Sequence, residues 1–189
     1  MKEKIDKIIG GLNELWVKNK AEILAPIEIK FKENPIELNF ASEFYKPNKK
    51  DRKQCGVYVF YARFRPEAFT KEDFEKLWHS SEKEKTIRSP AFIKSRFKYK
   101  GKGKWHVIYV GKSEKVLNRL WEHVEHPEDT HTYSLKLRVH QALTSNSDLA
   151  YNYYSIGEYN KNNIAGIKFL IQNIESELRN TLSPWIGKQ

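Results

Sequence analysis

The sequence predicts a mixed α+β fold in which a small sheet of three strands is packed by helices. Three stretches support the strands, because β-branched and aromatic residues are concentrated at 56–64, 105–110 and 149–159. Apolar residues at helical spacing fill 162–182, which predicts a long amphipathic helix after the last strand. The order of two strands, a helix, an ambiguous segment, a strand and a helix is typical of a small sheet covered by helices.

The chain before the first strand is predicted to begin with a helix over 5–24, where apolar residues recur at helical spacing. Pro26, Pro35 and Pro47 then mark a loop-rich passage that could hold one short extended segment. Residues 1–54 are therefore predicted to form an N-terminal helical extension and a basic linker ahead of the main domain.

The main domain is predicted to span residues 55–189, with a basic insertion at about 65–104. Its first strand, GVYVFYARF, is apolar or aromatic on both faces, which favours a central position in the sheet. The second strand, WHVIYV, is predicted to end at Gly111, because glycine often interrupts a strand.

Two helices of the main domain have predicted starting points. Thr70 is expected to cap a short helix over 70–79, and Ser113 a helix that ends at about Glu125. The segment 132–143 is predicted to be a helix, with a strand as the alternative.

Composition excludes several classes of protein. No apolar run approaches the roughly 18–20 residues that a membrane helix needs. The first twenty residues lack the long apolar core of a signal peptide. Cys55 is the single cysteine and cannot form an internal disulfide. We therefore expect a cytoplasmic protein with no membrane association.

The net charge of +10 favours a polyanionic partner, and DNA is the one predicted. Eight of the twenty residues at 85–104 are basic, none is acidic, and aromatic residues lie between them. A solvated lysine-rich loop is the alternative to a surface that contacts the phosphate backbone. The predicted nucleic-acid contacts are Lys94, Arg96, Lys98, Lys100, Lys102, Lys104 and Lys112.

The sequence YVGKS at 109–113 imitates the end of a nucleotide-binding P-loop. A P-loop needs a glycine five residues before the Gly of Gly-Lys-Ser, and that position is His106. The strand residues between them are bulky and cannot wrap around phosphates. No nucleotide cofactor is therefore predicted.

Five residues of suitable chemistry recur in a recognisable order. In the pattern GVY…YVG-x7-R-x3-H…E-x8-P, these are Tyr58, Tyr109, Arg119, His123 and Glu175. The pattern resembles the GIY-YIG nuclease family, in that family's order, over roughly residues 55–187. The resemblance implies that the sheet is antiparallel and that these five residues form the active site. Taken singly, each could be an ordinary core or surface residue, and Glu177 is a neighbouring carboxylate on the other flank of its helix.

The residue types also suit phosphodiester hydrolysis. Glu175 can hold one Mg²⁺, which Mn²⁺ could replace, and Arg119 can fork onto two phosphate oxygens. Near a metal and an arginine, Tyr58 could take a proton from the attacking water, and His123 could relay it. Tyr109 could bind the phosphate or fix Tyr58. The resemblance implies the same roles.

Three features depart from the family pattern. Fifty residues separate Tyr58 from Tyr109, where the family has a short connection. Gly187 stands where many members have an asparagine. The additional histidine or tyrosine of the family has three candidates here, His131, Tyr133 and His140.

The sequence thus leads to a Mg²⁺-dependent DNA endonuclease with one metal per site, of restriction type or acting alone. The alternative is a catalytically weak or inactive nucleic-acid-binding module on the same fold. A third interpretation is a basic protein-interaction domain without DNA affinity. Cleavage of both strands would need a homodimer or two sequential nicks, and the sequence does not decide between them.

Overall fold

A computed structural model describes residues 2–80, 90–125, 134–158 and 162–187. The chain divides into two compact units, Met1–Asn34 and Pro35–Gln189. The first unit is one helix, α1 (Lys2–Lys32), which continues through Pro26. The prediction that the helix ends near residue 24 is therefore wrong, since a helix can absorb a proline when one backbone hydrogen bond is lost.

In its described residues, the second unit contains a four-stranded sheet and four α-helices. Its elements are β1 (Ile36–Glu37), β2 (Gln54–Phe64), α2 (Lys71–His79), β3 (Trp105–Ser113), α3 (Val116–Glu125), α4 (Gln141–Asn146), β4 (Ser147–Glu158) and α5 (Ile164–Leu182). The sheet is antiparallel throughout, in the order β1-β4-β2-β3. The mixed α+β class is confirmed. The count of three strands is wrong, because the two-residue β1 pairs with β4 and is too short to produce an alternating pattern.

The first predicted strand, β2, lies in the interior of the sheet, as expected from its two apolar faces. Tyr58 pairs with Gly111 on one side and with Tyr153 on the other. The prediction that β3 ends at Gly111 is wrong, since β3 continues to Ser113. A Cβ atom at Gly111 would lie 2.5 Å from the Tyr58 ring, so this glycine is needed for the ring to cross β3.

The helix starts follow the predictions only in part. Thr70 caps α2, accepting a hydrogen bond from the Asp73 amide at 3.1 Å, which confirms its predicted role. Ser113 instead ends β3, and its hydroxyl accepts from the Lys115 amide before α3 begins. A continuous helix over 132–143 is also wrong for its described part, because Lys136 has a left-handed backbone (φ 53°) and interrupts it.

The C-terminal segment 185–187 lies against β3. The Ile186 amide donates to the Ile108 carbonyl at 2.8 Å, and the Gly187 amide donates to the Ala91 carbonyl at 2.9 Å. This segment therefore connects β3 to the insertion and holds the chain beyond α5 in place. Among the described residues, no helix combines the length and apolar character needed to cross a bilayer.

Candidate active site

Two tyrosines from neighbouring strands lie side by side on one face of the sheet. Tyr109 on β3 is opposite Phe60, so it is diagonal to Tyr58 on β2. The centroids of the two tyrosine rings are 6.2 Å apart, and Tyr58 is 1% exposed. The predicted pair of strands thus brings both phenols to one place.

His123 on α3 contacts Tyr58 directly. Its Nε2 lies 2.8 Å from the Tyr58 hydroxyl, and its Nδ1 accepts a hydrogen bond from the Leu135 amide at 2.8 Å. Burial lowers the pKa of His123 well below its ordinary value, and the charge of Arg119 lowers it further. A neutral ring that accepts at Nδ1 carries its proton on Nε2. His123 is therefore arranged to donate to the Tyr58 oxygen, which favours a donor role over the predicted proton relay.

Arg119 lies one turn before His123 on α3. Its Nη1 donates to Glu122 Oε2 at 2.6 Å, and Glu122 Oε1 accepts from the Asn118 amide group at 2.7 Å. Burial raises the pKa of Tyr58 well above its ordinary value, and Tyr109 adds to that rise, whereas the charge and hydrogen bonding of Arg119 oppose it. The guanidinium therefore acts on the phenol of Tyr58 while it is paired with Glu122.

Glu175 completes the predicted set from α5. Its side chain is 13% exposed, and its negative charge raises the pKa of both Tyr58 and Tyr109. Burial is the larger cause for Tyr109, and Arg119 lowers that pKa. The five residues predicted from the sequence are thus electrostatically coupled within one cluster.

Two charged residues of this cluster were not identified from the sequence. Glu122 pairs with Arg119 on α3, and Arg179 lies one turn after Glu175 on α5, with 3.6 Å between its Nη1 and Glu175 Oε1. In a sequence, such i,i+3 and i,i+4 pairs are indistinguishable from the ordinary ion pairs on exposed helix faces. Their small exposure, 18% for Arg179 and 17% for Glu122, was the missing information.

A cleft of about 670 Å³ borders Arg119 and Glu122. Lys112 lines it, as do Lys115 and Lys168, which the sequence did not single out. The Lys168 Nζ is 3.1 Å from Glu114 Oε1, so part of this positive charge is compensated. The cleft offers a polyanion a basic approach to Arg119.

The basic insertion lies at the other end of the β2–β3 pair. Trp105, directly after the insertion, pairs with Arg63, which is five residues and roughly 17 Å along β2 from Tyr58. Lys94 is bound to Glu75 at 2.7 Å and Lys102 to Glu67 at 3.2 Å. Arg96 is half-buried, whereas Lys98, Lys100 and Lys104 are exposed, as are Lys94 and Lys102 despite their ion pairs. The structure therefore does not bring these predicted contacts to the cleft; only Lys112 lies there.

One candidate for the additional histidine or tyrosine is described. His140 is buried and stacks on Trp78 of α2, with ring centroids 4.4 Å apart and planes inclined by 7°. It therefore belongs to the aromatic core. His131 and Tyr133 lie outside the described residues.

Among the five residues, Glu175 has the side chain best suited to bind Mg²⁺. Mg²⁺ prefers oxygen ligands, keeps several waters and is often bound by one or two carboxylates. Glu175 offers carboxylate oxygens beside two phenols, whereas both nitrogens of His123 are engaged with Tyr58 and Leu135. Within the described parts of the chain, no three His, Cys, Asp or Glu side chains form a larger metal-binding group. Glu175 is thus the residue that would hold the ion.

Comparisons of the chain with protein-family models, with curated proteins and with solved structures found no match. The chemistry of the cluster therefore rests on its geometry. It combines a buried phenol and a partly buried one, a guanidinium for an anion, a neutral imidazole donor and a carboxylate, beside a basic cleft. These groups can bind a phosphate ester, hold a cation beside it and donate hydrogen bonds to a phenolate.

Proposed function

We propose that this protein is a Mg²⁺-dependent DNA endonuclease that hydrolyses phosphodiester bonds in the manner of GIY-YIG nucleases, with one metal ion per site. The observation that carries the proposal is the hydrogen bond of 2.8 Å between Tyr58 and a buried, neutral His123, next to Arg119 and Glu175. Buried titratable groups with strongly shifted pKa values and charged neighbours are concentrated at functional sites, and the Tyr58 phenol is such a group.

Substrate binding begins with the backbone of DNA in the basic cleft. Lys112 and Lys115 attract phosphates, and Arg119 forks onto the oxygens of the scissile phosphate. Arg119 is paired with Glu122, so the phosphate must replace or share that carboxylate as a partner. Glu122 thereby disfavours weakly bound anions at Arg119 and keeps the guanidinium oriented.

Tyr58 is the base for the attacking water in its phenolate form. Burial raises its pKa, so the phenol keeps its proton until positive charge arrives nearby, and it then releases that proton to solvent before it activates the water. Glu175 would hold the Mg²⁺, which would supply that charge and help to neutralise the phosphate. His123 Nε2–H and Arg119 then stabilise the phenolate by donating to its oxygen, while Tyr109 donates to the phosphate or fixes the Tyr58 ring.

One observation favours a second candidate, a nucleic-acid-binding module with weak or no catalysis on the same fold. Burial dominates the pKa of Tyr58, and it opposes the phenolate that cleavage requires. In that case the cleft binds the DNA backbone and the phenols are structural. Such a module would bind DNA in a strongly salt-dependent way without any metal-dependent cleavage.

Plasmid nicking tests the two candidates. We expect wild-type protein to nick supercoiled DNA in Mg²⁺ and not in EDTA. Glu175→Gln and Arg119→Met should reduce the rate by at least about 10²-fold, since each removes charge stabilisation of the transition state. Glu177→Gln, two residues away on α5, is the matched control and should cleave like wild type. Equal background nicking by all four proteins would exclude the nuclease and leave the binding module.

The substrate class within the nuclease proposal is decided by mapping cut sites on DNA of varied sequence and structure. Cuts at one short palindrome would support a restriction-type enzyme. Cuts at branches or flaps would support a nuclease that acts on DNA structure. Sedimentation of the protein with and without DNA would show whether a homodimer or successive single nicks cleave the two strands.

A further inference from the structure

We propose that Arg179 is a second phosphate-binding arginine, which acts on the scissile phosphodiester from α5 while Arg119 acts from α3. This inference rests on the proposed nuclease function and assigns a role to a residue that the sequence pattern does not contain. A phosphoryl transition state spreads negative charge over several oxygens, so two guanidinium groups can stabilise it from different directions.

The position of Arg179 lets its charge act on Tyr109. It lies one turn after Glu175, with a side chain only 18% exposed. Its positive charge lowers the pKa of Tyr109, against the larger effect of burial. Arg119 and Arg179 thus both act on Tyr109, from two different helices.

The backbone of the C-terminal segment provides a seat for the guanidinium. Gly187 has a φ of 139°, which side chains rarely tolerate, and a Cβ atom there would collide with Arg179 Nη2. The Gly187 amide is fixed by its hydrogen bond to Ala91 at 2.9 Å. The absence of a side chain at residue 187 therefore leaves room for the guanidinium, and Arg179 fills the space where a polar side chain at 187 would begin.

A purely structural ion pair between Arg179 and Glu175 is the competing explanation. The two arginine–glutamate pairs differ: Arg119 is 2.6 Å from Glu122, whereas Arg179 is 3.6 Å from Glu175. Arg179 thus lies close enough to Glu175 to orient its carboxylate. The variants below separate that role from a contact with phosphate.

The first experiment measures DNA binding in EDTA over a range of salt concentrations, and it does not depend on cleavage. Removing one cation that binds a phosphate reduces the slope of log K against log salt by about one. We expect this reduction for Arg179→Ala and an unchanged slope for Arg179→Lys, which keeps the charge. An unchanged slope for Arg179→Ala would overturn the proposal. If wild-type protein did not cleave DNA, the nuclease function would fail while this slope still tested the role of Arg179.

The second experiment measures cleavage by the same variants. Both should lose about 10²-fold in kcat, because a lysine cannot reproduce the fork of a guanidinium. Millimolar guanidinium chloride should restore part of the rate of Arg179→Ala. The control variant is Arg65→Ala. Arg65 is 61% exposed and pairs with Asp148, so guanidinium chloride should not change the cleavage rate of this variant. If Arg179→Lys is fully active and guanidinium chloride does not restore the activity of Arg179→Ala, Arg179 is only a counter-ion of Glu175 and the proposal fails. If Arg179→Ala does not fold, the kcat of Arg179→Lys decides.

Discussion

The two ends of the β2–β3 pair differ in what they bury. At the cleft end, around Tyr58 and Gly111, the buried groups are titratable and shift one another's pKa values. At the aromatic end, around Phe64 and Trp105, the buried groups are mainly apolar rings, with His106 as a titratable exception: Phe64 stacks on Phe69 at 4.4 Å and on Trp185 at 5.7 Å. Both ends share the same two strands, but the register of β2 against β3 shifts by one residue between Phe60 and Tyr61.

The difference separates stability from chemistry. Burying rings removes apolar area from water and stabilises the fold, whereas burying Tyr58 and His123 costs free energy unless each is hydrogen bonded. The 2.8 Å contact between these two side chains meets that requirement. The aromatic end therefore stabilises a framework on which the cleft end can tolerate buried polar groups. Substitutions at the cleft end should therefore affect cleavage more than stability, and substitutions at the aromatic end should affect stability more than cleavage.

The largest expected effect belongs to the cleft end. Tyr58→Phe removes the proposed base and should reduce the cleavage rate by at least about 10³-fold, with binding of DNA nearly unchanged. It also leaves His123 without its acceptor, which costs about 1–3 kcal/mol of unfolding free energy. Single-turnover cleavage and chemical denaturation measure the two quantities. Retention of more than about a tenth of the rate would contradict a base at this position.

The next effect should be confined to stability. Phe74 is fully buried at the aromatic end, with ring centroids 4.9 Å from Phe92 and 5.2 Å from Trp185. Phe74→Ala should lower the free energy of unfolding by about 3–5 kcal/mol. The rate per folded molecule should stay near that of wild type. A selective loss of cleavage in a variant that melts normally would show that the two ends are not separable.

A smaller effect concerns pH. Because burial depresses the pKa of His123, the folded protein keeps this ring neutral while the unfolded chain takes up a proton below about pH 6.5. The stability attributable to His123 is thus complete above pH 6.5 and falls as the pH decreases, by up to about 1.4 kcal/mol per pH unit. His123→Gln should reduce the slope of unfolding free energy against pH by the contribution of one proton. Part of the slope should remain in this variant, because burial also lowers the pKa of His106. Identical slopes in urea titrations of both proteins would refute this assignment.

The smallest effect is expected from three exposed lysines of the insertion, Lys98, Lys100 and Lys104. Replacing all three with glutamine should weaken DNA binding by about tenfold, which is ~1.4 kcal/mol. The salt slope should fall by about one for each phosphate that the variant no longer binds, with no change in rate at saturating DNA. An unaltered affinity would support the solvated lysine-rich loop instead.

The sequence predicted the three long strands, two of which carry the site tyrosines, and the last helix, because their apolar patterns are long. It also brought five residues into one predicted site through their order and spacing. It allowed one short extended segment between Pro26 and Pro47, but it could not show that Ile36–Glu37 joins the sheet, because these two residues are held by β4 rather than by their own propensity. The proton position on His123 was equally inaccessible, because it depends on the amide of Leu135 in a segment without regular structure.

Arg179 illustrates the same limit for the site. Its spacing from Glu175 is that of an exposed ion pair, and only its burial against Gly187 distinguishes it. Burial of a helix face depends on what packs against it, and here the packing comes from backbone beyond the end of α5. Local patterns in a sequence carry no information of that kind.

The interior position of β2 has a consequence for the order of folding. Tyr58 pairs with residues about fifty and about ninety-five positions further along the chain, and Glu175 is more distant still. Contacts of such high sequence separation form slowly, because the entropy of closing long loops opposes them. The groups proposed for cleavage therefore meet only when α5 docks on the finished sheet. A partly folded chain would hold these groups apart and carry no assembled reactive centre.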